Sequence, residues 1–188
     1  TWAWDGVDWT RQSPAVSPPA RTQFAMASDT ARRRVVLFGG FDGGYLADTW
    51  EWDGSTWTRR MPATSPPPRG GHALIYDAAR ERIVLHGGYT VNWWLNDTWE
   101  WDGTDWTQAA PGTSPPGRGD HAMAYDTGRQ RAVLFGGFDR SHTLDDTWEY
   151  SGVALTATGT PRPGETVNLT LTAIVAAGRL YQLGSSLG

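Results

Sequence analysis

The apolar positions of this chain gather in short runs, and one run returns three times: Val35-Val36-Leu37-Phe38, Ile83-Val84-Leu85-His86 and Ala132-Val133-Leu134-Phe135. A continuous run of β-branched and aromatic residues predicts a strand covered on both faces and near the central axis of the fold, because a half-exposed strand would alternate. Each run ends on a diglycine, at Gly39-Gly40, Gly87-Gly88 and Gly136-Gly137, so the repeat interval is 48 and then 49 residues. Before the run, in the clearest copy, residues 72 to 77 (His-Ala-Leu-Ile-Tyr-Asp) predict a strand that turns at Asp77-Ala-Ala-Arg80. After it, Thr98-Trp99-Glu100-Trp101 predicts a third strand with both indoles on one face, and Asp102-Gly103 a hairpin into a fourth strand at Trp106-Thr107. Four short strands returning at an interval near fifty residues are the sequence form of a β-propeller blade.

Other positions keep the same register. Arg21, Arg69 and Arg118 stand at the head of each unit, and Glu51, Glu100 and Glu149 lie between the aromatics of the third strand. An unpaired charge between packed sheets is costly, so a buried pair between the head arginine and that glutamate is expected in every blade. A catalytic acid and base would need an asymmetric pair in one pocket, whereas these carboxylates are spread evenly around a ring. Of the 12 tryptophans, nine sit at repeat positions (2, 4, 9, 50, 52, 57, 99, 101, 106) and are expected to pack between blades. Burying ~200 Å² of indole at ~25 cal/mol/Å² contributes roughly 5 kcal/mol before the unfolded chain is considered, so packing alone accounts for them. The diglycine should tolerate no side chain, since the chain needs positive φ or close backbone approach there.

Composition removes several function classes. No apolar stretch is long enough to cross a bilayer, so no membrane span is expected. Cysteine is absent, which excludes disulfides, cysteine-containing zinc sites and thiol nucleophiles. All 16 basic residues are arginine, the net charge is -4, and the arginines are scattered through every repeat, so no nucleic-acid partner is expected. Arg32-Arg33-Arg34 has counterparts at residues 80–82 and 129–131 and reads as a solvated hairpin turn. His72 and His121 share a position held by Phe24 in the first unit and are expected to be packed and hydrogen-bonded. His86 replaces Phe38 and Phe135 and is expected near the ring axis with a polar tip. No histidine pair has metal-ligand spacing, so neither a metal nor a cofactor is expected.

A strand ending in Gly-Gly, an aromatic such as Trp50, six residues and then Trp57 together resemble Kelch repeats, within the galactose-oxidase-like superfamily. The resemblance covers residues 2 to about 150 and implies an all-β Kelch-type propeller of four-stranded antiparallel blades. The units are residues 2–10 (two strands), 21–58, 69–107 and 118–150 (three strands), within a repeat region of residues 1–152. That is about three and a half blades, a partial ring, because seven residues after Trp148 stands Leu155 where the pattern has Trp. Either the sequence is a fragment or chains combine through their open blade edges. Residues 153–188 change to Thr-rich alternation and read as the start of a separate antiparallel β-module. That segment resembles C-terminal segments of secreted proteins of environmental bacteria, which implies an extracellular or cell-surface location. Asn168-Leu-Thr170 matches a glycosylation pattern by chance.

Candidate binding residues come from the segments that vary while their neighbours repeat. Between the diglycine and the Asp-Thr-Trp element these hold Phe41 and Tyr45, then Tyr89, Trp93 and Trp94, then Phe138, Arg140 and His142. Trp93-Trp94 is the leading contact pair, since exposed aromatics anchor partners. The Pro-rich stretches, such as residues 62–68, place each head arginine eleven positions after the closing Trp-Thr and read as rigid connectors. The expected function is a non-catalytic binding module that presents propeller loops to a protein or glycan. The alternative is the propeller of a secreted carbohydrate-active or galactose-oxidase-like enzyme, although the Cys crosslink that this resemblance implies has no cysteine here.

Overall fold

The computed structural model describes residues 1–152, 155–157 and 169–171. Every regular element among them is a strand. A hairpin, β1 (Trp2–Trp4) and β2 (Trp9–Arg11), precedes a blade of β3 (Ala25–Asp29), β4 (Arg34–Phe41), β5 (Tyr45–Trp52) and β6 (Trp57–Arg60). A second blade follows as β7 (Ala73–Asp77), β8 (Arg82–His86), β9 (Thr98–Trp101) and β10 (Trp106–Ala109). The third sheet has β11 (Ala122–Asp126), β12 (Arg131–Phe138) and β13 (Thr143–Tyr150), while β14 (Leu155–Ala157) pairs only with β15 (Leu169–Leu171). Every pairing is antiparallel between chain neighbours, as the turn chemistry requires. The described strands thus form a partial, unclosed propeller. The expected β-module over residues 153–188 lies outside the described residues apart from β14 and β15.

The second strand is not the one nearest the axis. β7 contacts both β3 and β11, so the first strand of each blade is innermost and the second is the blade interior, covered by the neighbouring blades. Val36, Phe38, Ile83, Val84 and Leu85 are fully buried in this way. Phe135 departs from the expectation: it is 55% exposed, because no described blade follows the third sheet. His86 likewise belongs to the interior strand, where its Nδ1 lies 3.0 Å from Thr98 Oγ1.

The indoles hold adjacent blades together by hydrogen bonds as well as by area. Trp106 Nε1 donates to Thr49 Oγ1 of the preceding blade at 2.9 Å, and Trp57 Nε1 donates to Thr1 Oγ1 at 2.8 Å. Trp101 Nε1 reaches back to Glu51, and the Tyr150 hydroxyl at the equivalent position reaches Glu100. Trp50, Trp57, Trp99, Trp101 and Trp106 are buried, and Trp52 is half-buried. Trp2, Trp4 and Trp9 are corrected: they are more than half exposed. Their hairpin supplies the outer strands of a blade whose inner strands are not among the described residues, so Trp4 and Trp9 pack on each other.

The expected pairing of head arginine with glutamate is also corrected. Arg69 closes a two-pronged pair on Asp97, Nη1 to Oδ1 at 2.6 Å and Nη2 to Oδ2 at 2.7 Å, and Arg21 and Arg118 do the same with Asp48 and Asp146. The aspartate comes three residues before the glutamate, immediately before β9 or within β5 and β13, and so stands nearer the diglycine loop and the head arginine, whereas the glutamate is next to last in its strand. Glu51, Glu100 and Glu149 instead take Arg60, Arg80 and Arg131.

Candidate functional site

Each diglycine brings its strand to one face of the blades and turns it into the varied loop. Gly87 has φ +64, and a Cβ there would stand 2.7 Å from the Arg118 carbonyl of the next blade. Gly39 repeats this against Arg69. The contact has a purpose, since the second glycine of the first two pairs donates its amide to that carbonyl, Gly40 to Arg69 and Gly88 to Arg118. The head arginine is therefore a joint between blades. Its Nη1 also donates to a diglycine carbonyl, its Nε to a connector carbonyl, and its amide to the preceding loop at Leu46 or Leu95. Burial opposes ionisation of Asp48 and Asp97, but the guanidinium and the indole of Trp50 or Trp99 outweigh it and hold both carboxyls below the usual range. Donation from Arg118 lowers Asp146 further.

On this braced face the varied aromatics meet. Phe41 packs edge-on to Tyr45 (5.3 Å between centroids), Tyr45 to Tyr89 of the next blade (6.0 Å), Tyr89 against Trp94 (4.7 Å), and Trp94 to Phe138 of the third sheet (5.3 Å). Five of the residues singled out in the sequence thus form one continuous aromatic rail across three blades. Trp93 stands off it, 71% exposed, on a turn where Thr90 Oγ1 accepts the amides of Asn92 and Trp93. Of the leading pair, then, Trp94 is packed into the rail and Trp93 projects. Arg140 and His142 lie beyond Phe138 on an exposed turn that Asp139 caps, and neither touches a ring of the rail. Arg140 holds φ +88, a left-handed conformation that a non-glycine residue rarely adopts.

Glycines floor the rail. A side chain at Gly71 or Gly119 would collide with the Tyr89 ring. Gly71 belongs to an equivalent trio with Gln23 and Asp120, all left-handed at φ 64, 57 and 56, and these link blade to blade: Gly71 donates to the Gln23 carbonyl at 2.9 Å and Asp120 to that of Gly71 at 2.7 Å. The Asp120 carboxylate stands 3.4 Å from the Tyr89 hydroxyl. Burial, reinforced by Asp120, pushes Tyr89 up to about 12, so its hydroxyl stays neutral. Asp120 was not singled out in the sequence, although Gln23, Gly71 and Asp120 vary between repeats just as the loops do.

Beneath the face, His72 packs edge-on to Phe38 and His121 to His86. They are packed as expected, and beyond the contact of His72 with the Phe38 backbone no described group meets the ring nitrogens of His72 and His121 at hydrogen-bond geometry. Burial lowers His72 to about 3, His86 to about 3 and His121 to about 4, with neighbouring arginine charge in the same direction, so all three rings are neutral. Among the described residues no helix is long and apolar enough to cross a membrane.

A comparison with protein families matches residues 1–179 to the KLHDC2/KLHL20/DRC7 Kelch-repeats domain. No curated protein matches the chain.

Proposed function

Because this chain belongs to the KLHDC2/KLHL20/DRC7 Kelch-repeats domain family, we propose that it is a non-catalytic protein-interaction module whose contact surface is the aromatic rail with Trp93. Domains of Kelch repeats generally mediate protein–protein interaction. The observation that carries the assignment to this face is the continuity of Phe41, Tyr45, Tyr89, Trp94 and Phe138 across three blades. Loops that merely connect strands need no aromatic residues, and large rings left half-open on a rigid scaffold are what interfaces use as anchors. The inter-blade amide ladder and the head arginines fix the loop ends, which lowers the ordering cost of binding. A protein partner suits the rail better than a glycan: three of its four ring contacts are edge to face, at 63°, 86° and 76°, and the fourth is tilted at 50°, so the rings present no shared flat platform for a sugar ring.

A photo-crosslinking amino acid at position 93, in the full chain within its native cells, tests this. The expected result is a discrete protein adduct that a crosslinker at exposed Val7 does not form. Equal adducts at both positions, or none at position 93, would contradict it.

A further inference from the structure

The middle of the rail carries one carboxylate, Asp120, that no described cationic side chain pairs, while Arg140 and His142 stand with Asp139 at its far end; the inference drawn from this rests on the interaction face proposed above. Across the loops that bear the rings (residues 41–45, 89–95 and 138–142) and the three heads (residues 21–23, 69–71 and 118–120), the carboxylates are Asp42, Asp120 and Asp139. The arginines of those segments are Arg21, Arg69, Arg118 and Arg140. The first three are consumed beneath the surface by Asp48, Asp97 and Asp146, and Arg69 and Arg118 expose nothing. Arg140 lies past Phe138, at the end of the rail.

A partner that covers the middle of the rail therefore meets one charged group, Asp120. Its backbone is fixed by the left-handed φ and by the amide donated to Gly71. Its carboxylate makes only long contacts, 3.4 Å from each oxygen to the Tyr89 hydroxyl, and so keeps most of its acceptor capacity. Tyr89 and Trp94 lie 4.7 Å apart beside it. Ring faces attract cations, and a carboxylate next to them adds a charge-assisted hydrogen bond. An acidic side chain at the same place would be repelled by both.

We infer that the middle of the rail receives a positively charged segment of the protein partner, with an arginine or lysine side chain over Tyr89 and against the Asp120 carboxylate. Charge complementarity selects this occupant over an acidic one, because the guanidinium groups that would receive acidic residues are already closed on aspartates.

The test is selection of a random short-peptide library, displayed on phage, against the full chain at low ionic strength. The expected peptides are enriched in Arg and Lys over Asp and Glu and lose affinity as salt is raised. They should weaken about tenfold on Asp120→Asn, which removes the charge but keeps a residue that tolerates the left-handed conformation. The salt titration on the unaltered chain covers the case in which that variant is poorly folded. Peptides lost on Phe41→Ser and Trp93→Ser, yet without a cation excess or indifferent to Asp120→Asn and to salt, overturn the charge assignment and leave the interaction face standing. Peptides indifferent to Phe41→Ser and Trp93→Ser overturn both, as does recovery of none.

Discussion

Arg69 and Asp97 form a two-pronged ion pair with the guanidinium fully enclosed, and the same carboxylate accepts the Trp99 indole at 2.7 Å. One aspartate thus ties the head of a blade to its third strand. The arginine carries the tie onward to the preceding blade, through the amides and carbonyls it shares with Gly40 and Leu46.

Removing Asp97 leaves an enclosed charge without its counterion. Asp97→Ala should cost about 3–5 kcal/mol in a denaturant titration. Glu100→Ala should cost clearly less, since Arg80 keeps Asp77 as a second partner. Equal losses for the two variants would refute this ordering.

That ordering marks the limit of what repetition reveals. Asp97 and Glu100 recur at the same interval, so periodicity could not tell which faces the head arginine; only the end of the strand at which each sits decides it. Blade number, strand order and turn positions were legible because each depends on local alternation, diglycines and Asp-Gly turns. The exposure of Trp2, Trp4 and Trp9 was not, because burial of a repeat position depends on a neighbouring sheet and not on the residue itself. The loop aromatics could be picked out as the varied positions, but their joining into one rail follows from how the blades fan, which brings Tyr45 to Tyr89 and Trp94 to Phe138.

The Trp106 indole and the Thr49 hydroxyl should be energetically coupled across the blade boundary. A cycle of Trp106→Phe, Thr49→Val and the double variant should return about 1 kcal/mol of coupling. Additive effects would mean that the 2.9 Å contact contributes nothing beyond packing.

Gly87→Ala forces a side chain into left-handed backbone and against the Arg118 carbonyl, and should cost at least about 2 kcal/mol. Gly112→Ala, which meets open space at ordinary φ, should stay within about 0.5 kcal/mol. Thermal melts of the pair measure the contrast, and indistinguishable midpoints would rule out the close approach.

Acid should weaken the fold before the aspartates titrate. His72, His86 and His121 are held at about 3, 3 and 4 in the folded chain, against an unfolded value of about 6.5. The unfolded state therefore binds more protons below about pH 6.5, and stability is lost as pH falls from there towards the folded values, at about 1.4 kcal/mol per pH unit for each ring. His72→Phe, which copies Phe24 of the first unit, should remove one proton's share of the slope between pH 6 and 5. An unchanged slope in that variant would show that the ring is not buried in its neutral form.

The account depends most on which indoles are sealed between blades and which are open. Hydroxyl-radical footprinting of the native chain, read tryptophan by tryptophan in a mass spectrometer, measures this directly. Fast modification is predicted at Trp2, Trp4, Trp9 and Trp93, and slow modification at Trp50, Trp57, Trp99, Trp101 and Trp106. Labelling of Trp99, Trp101 and Trp106 at the rate of Trp93 would contradict the packed blades on which the interaction face rests.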